Sequence, residues 1–230
     1  MRYVRVMVLL MTALVVSSPA FAAQITGFGQ LGVTNVFFAV DNGNGTTTLS
    51  SDSNVNITNI IIGATDPMAL FTFDATSVGD AESFTGPGGG AGIFQEYQGS
   101  FSLTNQAGTF TYLEGLFGGA LLVGGDGGSG AVFTANTTVF DPLALSTDLP
   151  ITLINPESFS ISLSNITPGL SISGEGTDNA TVASFSASFT ATADANLQDV
   201  QPVPEPGSLI LLGSGLLGLS GAVRRRFARK

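Results

Sequence analysis

Residues 159–164 read Phe-Ser-Ile-Ser-Leu-Ser, and residues 185–193 read Phe-Ser-Ala-Ser-Phe-Thr-Ala-Thr-Ala. In both, apolar side chains (Phe159, Ile161, Leu163; Phe185, Ala187, Phe189, Ala191, Ala193) alternate with hydroxyl side chains. That period of two is the signature of strands with one face in a core and the other in water. Similar runs lie near 31–40, 55–62, 68–74, 93–104, 109–117, 119–123, 131–140 and 150–155. Turn-forming clusters separate them: DNGNG at 41–45, TDP at 65–67, GPGGG at 86–90, GGDGGSG at 124–130, TPG at 167–169 and GEG at 174–176. No stretch between Gln24 and Val200 carries a helical stripe, and no repeat of fixed period is visible, which counts against a solenoid. The pattern predicts an all-β domain over residues 23–193, an antiparallel β-sandwich of jelly-roll type.

The charges are segregated. The chain has seven basic and 17 acidic residues, with no His, Cys or Trp. Every basic residue is terminal: Arg2 and Arg5 at one end, Arg224, Arg225, Arg226, Arg229 and Lys230 at the other. A domain without one cation has no means of holding phosphate, so nucleic acid is excluded as a partner. The same absence removes a Ser-His-Asp triad, a thiolate, a Schiff-base lysine and a zinc site, and the expectation is that the protein is not an enzyme. Carboxylate pairs alone can hydrolyse glycosides, but the residues that usually hold the sugar beside them are missing. No side-chain ion pair can form between Arg5 and Arg224, so stability there must come from burial and ladder hydrogen bonds.

The two ends differ from the middle. Residues 1–22 combine Arg2 and Arg5, an apolar run from Val6 to Val16 and the small residues Ala20 and Ala22 in an A-x-A arrangement, as in a secretory signal peptide cleaved after Ala22, with Ala23 as the second choice. At the other end, residues 194–206 (ADANLQDVQPVPEP from Ala193 onward) lose the alternation and gain prolines, as expected of a spacer. Residues 207–223 are uncharged and rich in leucine and glycine, and basic residues 224–230 follow at once. That order predicts a short transmembrane helix with its basic tail in the cytoplasm and the domain outside.

Val203, Pro204, Glu205 and Pro206, the glycine-spaced apolar span and the cluster Arg224, Arg225 and Arg226 together resemble the PEP-CTERM sorting signal, whose hydrophobic tail motif is also labelled an ice-binding protein C-terminal motif. The resemblance is limited to about residues 202–230. It implies that Pro204, Glu205 and Pro206 are the recognition motif of a membrane-embedded exosortase, and that Arg224, Arg225 and Arg226 are the stop signal. It implies a membrane-tethered precursor that ends at the cell surface or outside, in a bacterium that makes exopolysaccharide. About the middle of the chain it implies nothing.

Within the domain the candidates are few. Asp41, Asn42 and Asn44 in DNGNG offer hard oxygen ligands on a tight turn, the chemistry calcium takes, although Asp and Asn are also good turn residues. Asp80, Glu82 and Asp126 are isolated acids that a fold could gather. Tyr97 and Tyr112 have a ring face and a polar handle suited to sugar stacking, whereas Phe159, Phe185 and Phe189 at alternating positions belong to a core. The strings Gly27, Gly29, Gly32 and Gly213, Gly215, Gly218 match G-x-G-x-x-G, but neither joins a strand to a helix in a βαβ unit. The leading expectation is an exported, non-enzymatic protein of the exopolysaccharide matrix or biofilm, structural or weakly glycan-binding. A calcium-dependent carbohydrate-binding or adhesive module is the alternative. Ice binding, hinted at by Thr46–Thr48 and the Ser/Thr alternation at 181–192, is a third.

Overall fold

A computed structural model describes residues 23–60, 68–86, 88–136 and 143–198. The segments read as signal peptide (1–22), transmembrane helix (207–223) and basic tail (224–230), with the sorting motif and its arginines, lie outside the described residues. The described residues form strands and no helix: β1 (Ala23–Gln30), β2 (Phe37–Asp41), β3 (Thr47–Ile60), β4 (Met68–Ser77), β5 (Glu82–Thr85), β6 (Ala91–Asn105), β7 (Thr111–Gly125), β8 (Ala131–Asn136), β9 (Leu143–Ser146), β10 (Thr152–Thr167), β11 (Ile172–Ser173), β12 (Thr181–Val182) and β13 (Phe185–Gln198). All pairings are antiparallel.

The sheet is not a sandwich. Its strands run β6-β4-β3-β1-β13-β10-β8-β7, and β7 pairs back onto β6, which closes an eight-stranded barrel. Sandwich and barrel strands share the same in/out alternation, so the expectation of an all-β antiparallel domain holds and the sandwich is corrected to a closed barrel. Closure is favoured because it leaves few unpaired strand edges. Three places around the barrel are each filled by two strands in succession: β1 and β2 between β3 and β13, β4 and β5 beside β6, and β8 and β9 beside β7.

The apolar side of the alternation fills the lumen. Phe28, Phe37, Phe71, Phe73, Phe101, Phe133, Phe159 and Phe189 are all buried. The Phe71 ring lies 4.9 Å from Phe28 and 5.1 Å from Phe189, and Phe101 stacks on Phe159 at 3.8 Å. An eight-stranded barrel is just wide enough to be filled in this way, and burying each such ring contributes about 1.5–3 kcal/mol. The outer side carries Thr48, Ser50, Asp52 and Asn54 on β3 and Ser158, Ser160, Ser162 and Ser164 on β10. A barrel facing lipid needs the reverse, with its apolar band outside.

One end is sealed by the segment that contains β11 and β12, where Leu170, Thr181 and Val182 are buried. The buried Gln95 ties this cap to the barrel. Its Nε2 donates to the Gly79 carbonyl at 2.8 Å, and its Oε1 accepts from the Tyr97 hydroxyl at 2.9 Å and the Val182 amide at 3.0 Å. A buried polar side chain satisfied on both atoms holds one arrangement firmly.

Strand lengths exceed the runs visible in sequence. Residues 109–117 and 119–123 belong to one strand, β7, whose register against β6 slips between Tyr97 and Gln98. Gly119 sits at the slip with φ of 89°, a left-handed conformation that glycine adopts without strain. The bulge inverts the phase, so Glu114 and Leu116 face outward before it and Leu121 after it. β10 likewise joins two runs across an irregularity between Ile154 and Ser158. β13 continues to Gln198, into the stretch read as spacer, with Ala195 still buried.

Candidate functional site: a depression on the outer face

The outer faces of β4, β6, β7 and β9 meet in a depression of about 430 Å³. Strand pairing assembles it: Asp74 lies opposite Ser100, Thr72 opposite Ser102, Ser102 opposite Glu114, and Glu114 opposite Ser146. Leu116, 67% exposed, supplies its apolar surface, while Leu145 on β9 packs inward against the core. A second depression of about 540 Å³ adjoins it along the same strands, sharing Ser100, Leu116 and Ala144 and reaching Gln98 and Gly118. Together they form a groove that follows the β6–β7 ribbon.

Its polar groups are already oriented. The Ser146 hydroxyl donates to Glu114 Oε1 at 2.6 Å, and the Thr72 and Ser102 hydroxyls share a hydrogen bond of 2.8 Å. β9 is held in place from the far side by Glu157, whose Oε2 accepts the Leu145 amide at 3.0 Å. Burial pushes the Glu157 carboxyl above the usual carboxylate range, and the Leu145 hydrogen bond opposes that shift. The groove thus offers hydroxyls, two carboxylates and a leucine surface, with no cation in the barrel. That set suits an uncharged polyhydroxyl ligand and repels an anionic one.

Asp41 and Asn44 meet at a different place, a cleft between the 41–45 turn and the β11–β12 segment, with Ser173, Thr177, Asn179 and Thr181. Asp41 Oδ1 accepts the Gly43 amide at 2.9 Å, and this bond, with help from Ser173 and Thr181, holds its carboxyl below the usual range. Asn44 Oδ1 accepts from the Thr46 amide and hydroxyl at 3.2 and 2.7 Å. Asn42 instead donates from Nδ2 to the Thr46 and Thr48 hydroxyls at 2.9 and 3.0 Å. Two of the three candidate calcium ligands therefore share a cleft, and all three serve as ties of the turn. Among the described residues no three acidic side chains group as a metal centre.

Other expectations change. Tyr97 is fully buried in the Gln95 network and Tyr112 is 7% exposed, 5.4 Å from Phe110, so neither can serve as a sugar platform. The Tyr97 hydroxyl is structural, and polarity was a poor guide to exposure. Phe159, Phe185 and Phe189 are core residues as read. Gly27 and Gly29 lie within β1, paired to β13, and Gly32 follows it, with no helix behind them. Of the Ser/Thr alternation, Thr190 and Thr192 face outward opposite Ser162 and Ser160, on the wall of a closed barrel rather than a flat array. The groove residues were missed because each reads alone as an ordinary solvent-facing strand position.

The architecture defines a class: a closed antiparallel barrel with a filled lumen and a polar groove on its outer wall. Residues 202–226 match the PEP-CTERM protein-sorting motif. The match covers the tail and none of the barrel. This motif supports an exported protein sorted by an exosortase, a membrane enzyme, and implies a membrane-anchored precursor on the way to the cell surface. No curated protein and no solved structure matches the chain.

Proposed function

We propose that the barrel is a non-enzymatic extracellular module that holds an uncharged glycan chain of the exopolysaccharide matrix or biofilm in the outer groove, once the tail has delivered it. The observation that carries this reading is the groove itself. Thr72, Ser100, Ser102 and Ser146 hydroxyls stand with the Asp74 and Glu114 carboxylates around Leu116, on a barrel whose lumen is already full. Sugar hydroxyls donate to carboxylates and exchange hydrogen bonds with serine and threonine, while the C–H faces of the rings cover leucine. The lack of any His, Lys, Arg or Cys around the carboxylates supports binding over catalysis.

The test is titration calorimetry of residues 23–198 with neutral hexasaccharides of the cello, manno and N-acetylated chito series, and with the producer's own polysaccharide, with and without calcium. Saturable binding that Leu116→Arg abolishes, and that EDTA leaves unchanged, supports the groove. Binding that EDTA abolishes and Asp41→Ala removes favours the calcium-dependent module instead, since Asp41 is the one acid in the 41–45 cleft. Delivery is tested separately by Glu205→Ala, which is expected to leave an uncleaved precursor in the membrane fraction. Normal release of that variant would overturn exosortase recognition through Glu205.

A further inference from the structure

The outer face of the β6–β7 ribbon continues past the groove toward β5. Going along β6, Ser102, Ser100 and Gln98 give way to Glu96 and Phe94, which lie opposite Leu121 and Val123 of β7. Beyond them, Phe84 of β5 is paired with Gly92 of β6. From Ser102 to Phe94 this face runs about 26 Å at roughly 3.3 Å per residue.

β5 has no role in the core. All four of its side chains, Glu82 to Thr85, are exposed. Its one large apolar residue, Phe84, lies flat: a Cβ added at Gly92 would fall 2.4, 2.6 and 2.9 Å from Cζ, Cε1 and Cε2 of the ring. The ring rests over the glycine backbone, and the residue is 40% exposed. Phe94 stands beside it, with ring centroids 6.2 Å apart. Glu82, opposite Phe94, and Glu96 are exposed carboxylates flanking the rings.

The geometry points to Phe84 as a stacking platform for a pyranose ring, a second binding position that extends the groove for a non-anionic glycan chain. A flat aromatic face matches the C–H face of a sugar, and the adjacent carboxylates of Glu82 and Glu96 accept hydroxyl or amino hydrogens while repelling uronates and sulfates. The distance to the groove requires an oligosaccharide to engage both. This inference rests on the proposed glycan reading and names a second contact for it.

The chain contains no tryptophan, so Phe84→Trp places a single, selectively excited tryptophan at the platform while keeping an aromatic face. Its emission is expected to shift to the blue on saturation with the hexasaccharide that binds wild type best, and to stay unchanged with the matching uronate oligomer. Phe84→Leu keeps an apolar cover over Gly92 but removes the ring. It is expected to unfold at the same urea concentration as wild type and to bind the hexasaccharide about three- to tenfold more weakly, with trisaccharide binding unchanged. Full-strength hexasaccharide binding by Phe84→Leu, with loss in Leu116→Arg, would overturn the platform and leave the groove standing. No saturable binding of any neutral hexasaccharide by wild type would overturn both.

Discussion

The inner and outer faces of the same strands follow opposite rules. On β4 and β6 the inward residues Phe71, Phe73, Tyr97, Phe101 and Leu103 are 3% exposed or less, while Thr72, Asp74, Ser100 and Ser102 one position away line the groove. The inner face is fixed by volume, because a filled lumen has no room for another shape. The outer face is fixed by nothing in the fold, so its composition is free to serve a ligand. The contrast teaches that in this barrel the side chains that fill the lumen and those of the proposed glycan groove are separated by a single residue step.

Substitutions test that separation. The largest loss is expected inside: Phe71→Ala removes a ring in contact with Phe28 and Phe189 and should cost about 3–5 kcal/mol by urea unfolding. A loss under about 1 kcal/mol would mean the lumen repacks, and the inner face would not be volume-limited. Next is Gly99→Ala, which places a methyl group 2.2 Å from the Asp74 carbonyl oxygen. Backbone cannot move as a side-chain tip can, and the expected cost is about 1–3 kcal/mol.

A smaller effect is expected in the pH dependence. The folded pKa of Glu157 is raised, so the native state binds its proton more tightly than the unfolded chain, and its contribution falls as pH rises from about 4.5 through the folded value. Asp41 has the opposite sign. Its lowered pKa contributes stability at neutral pH that is lost as pH falls below about 3.8. Glu157→Gln should flatten the first slope and Asp41→Asn the second, measured as urea midpoints between pH 3 and 8. The smallest effect belongs outside the groove: Ser162→Ala on the outer face of β10 should change stability by less than about 0.5 kcal/mol.

How much of this was legible in the sequence follows the same division. The in/out assignment of Phe159, Ile161, Leu163, Phe185 and Phe189 was readable because burial imposes a period of two on any half-buried strand. Closure was not, since the β6–β7 and β8–β10 pairings that complete the ring leave no mark on a single strand's pattern. β7 read as two segments because the bulge at Gly119 inverts the alternation in its middle. The groove was hidden for a different reason: Thr72, Ser102, Glu114 and Ser146 look like solvent positions one at a time, and only cross-strand register brings them together. Phe84 lay between the 68–74 run and the GPGGG turn with no alternating partners, so nothing distinguished it from a core residue. The sorting motif was legible because it is a linear string, with Pro204, Glu205 and Pro206 contiguous.

The central claim is that the outer groove, rather than the lumen or the 41–45 cleft, holds a glycan. It is tested most directly by amide chemical-shift mapping of the labelled barrel during titration with a neutral hexasaccharide. The account predicts saturable shifts confined to residues 72–76, 82–84, 92–102, 114–118 and 144–146, with those of Phe159 and Phe189 unchanged. Shifts centred on 41–45 and 173–181, or on the lumen, or none at any concentration, would contradict it.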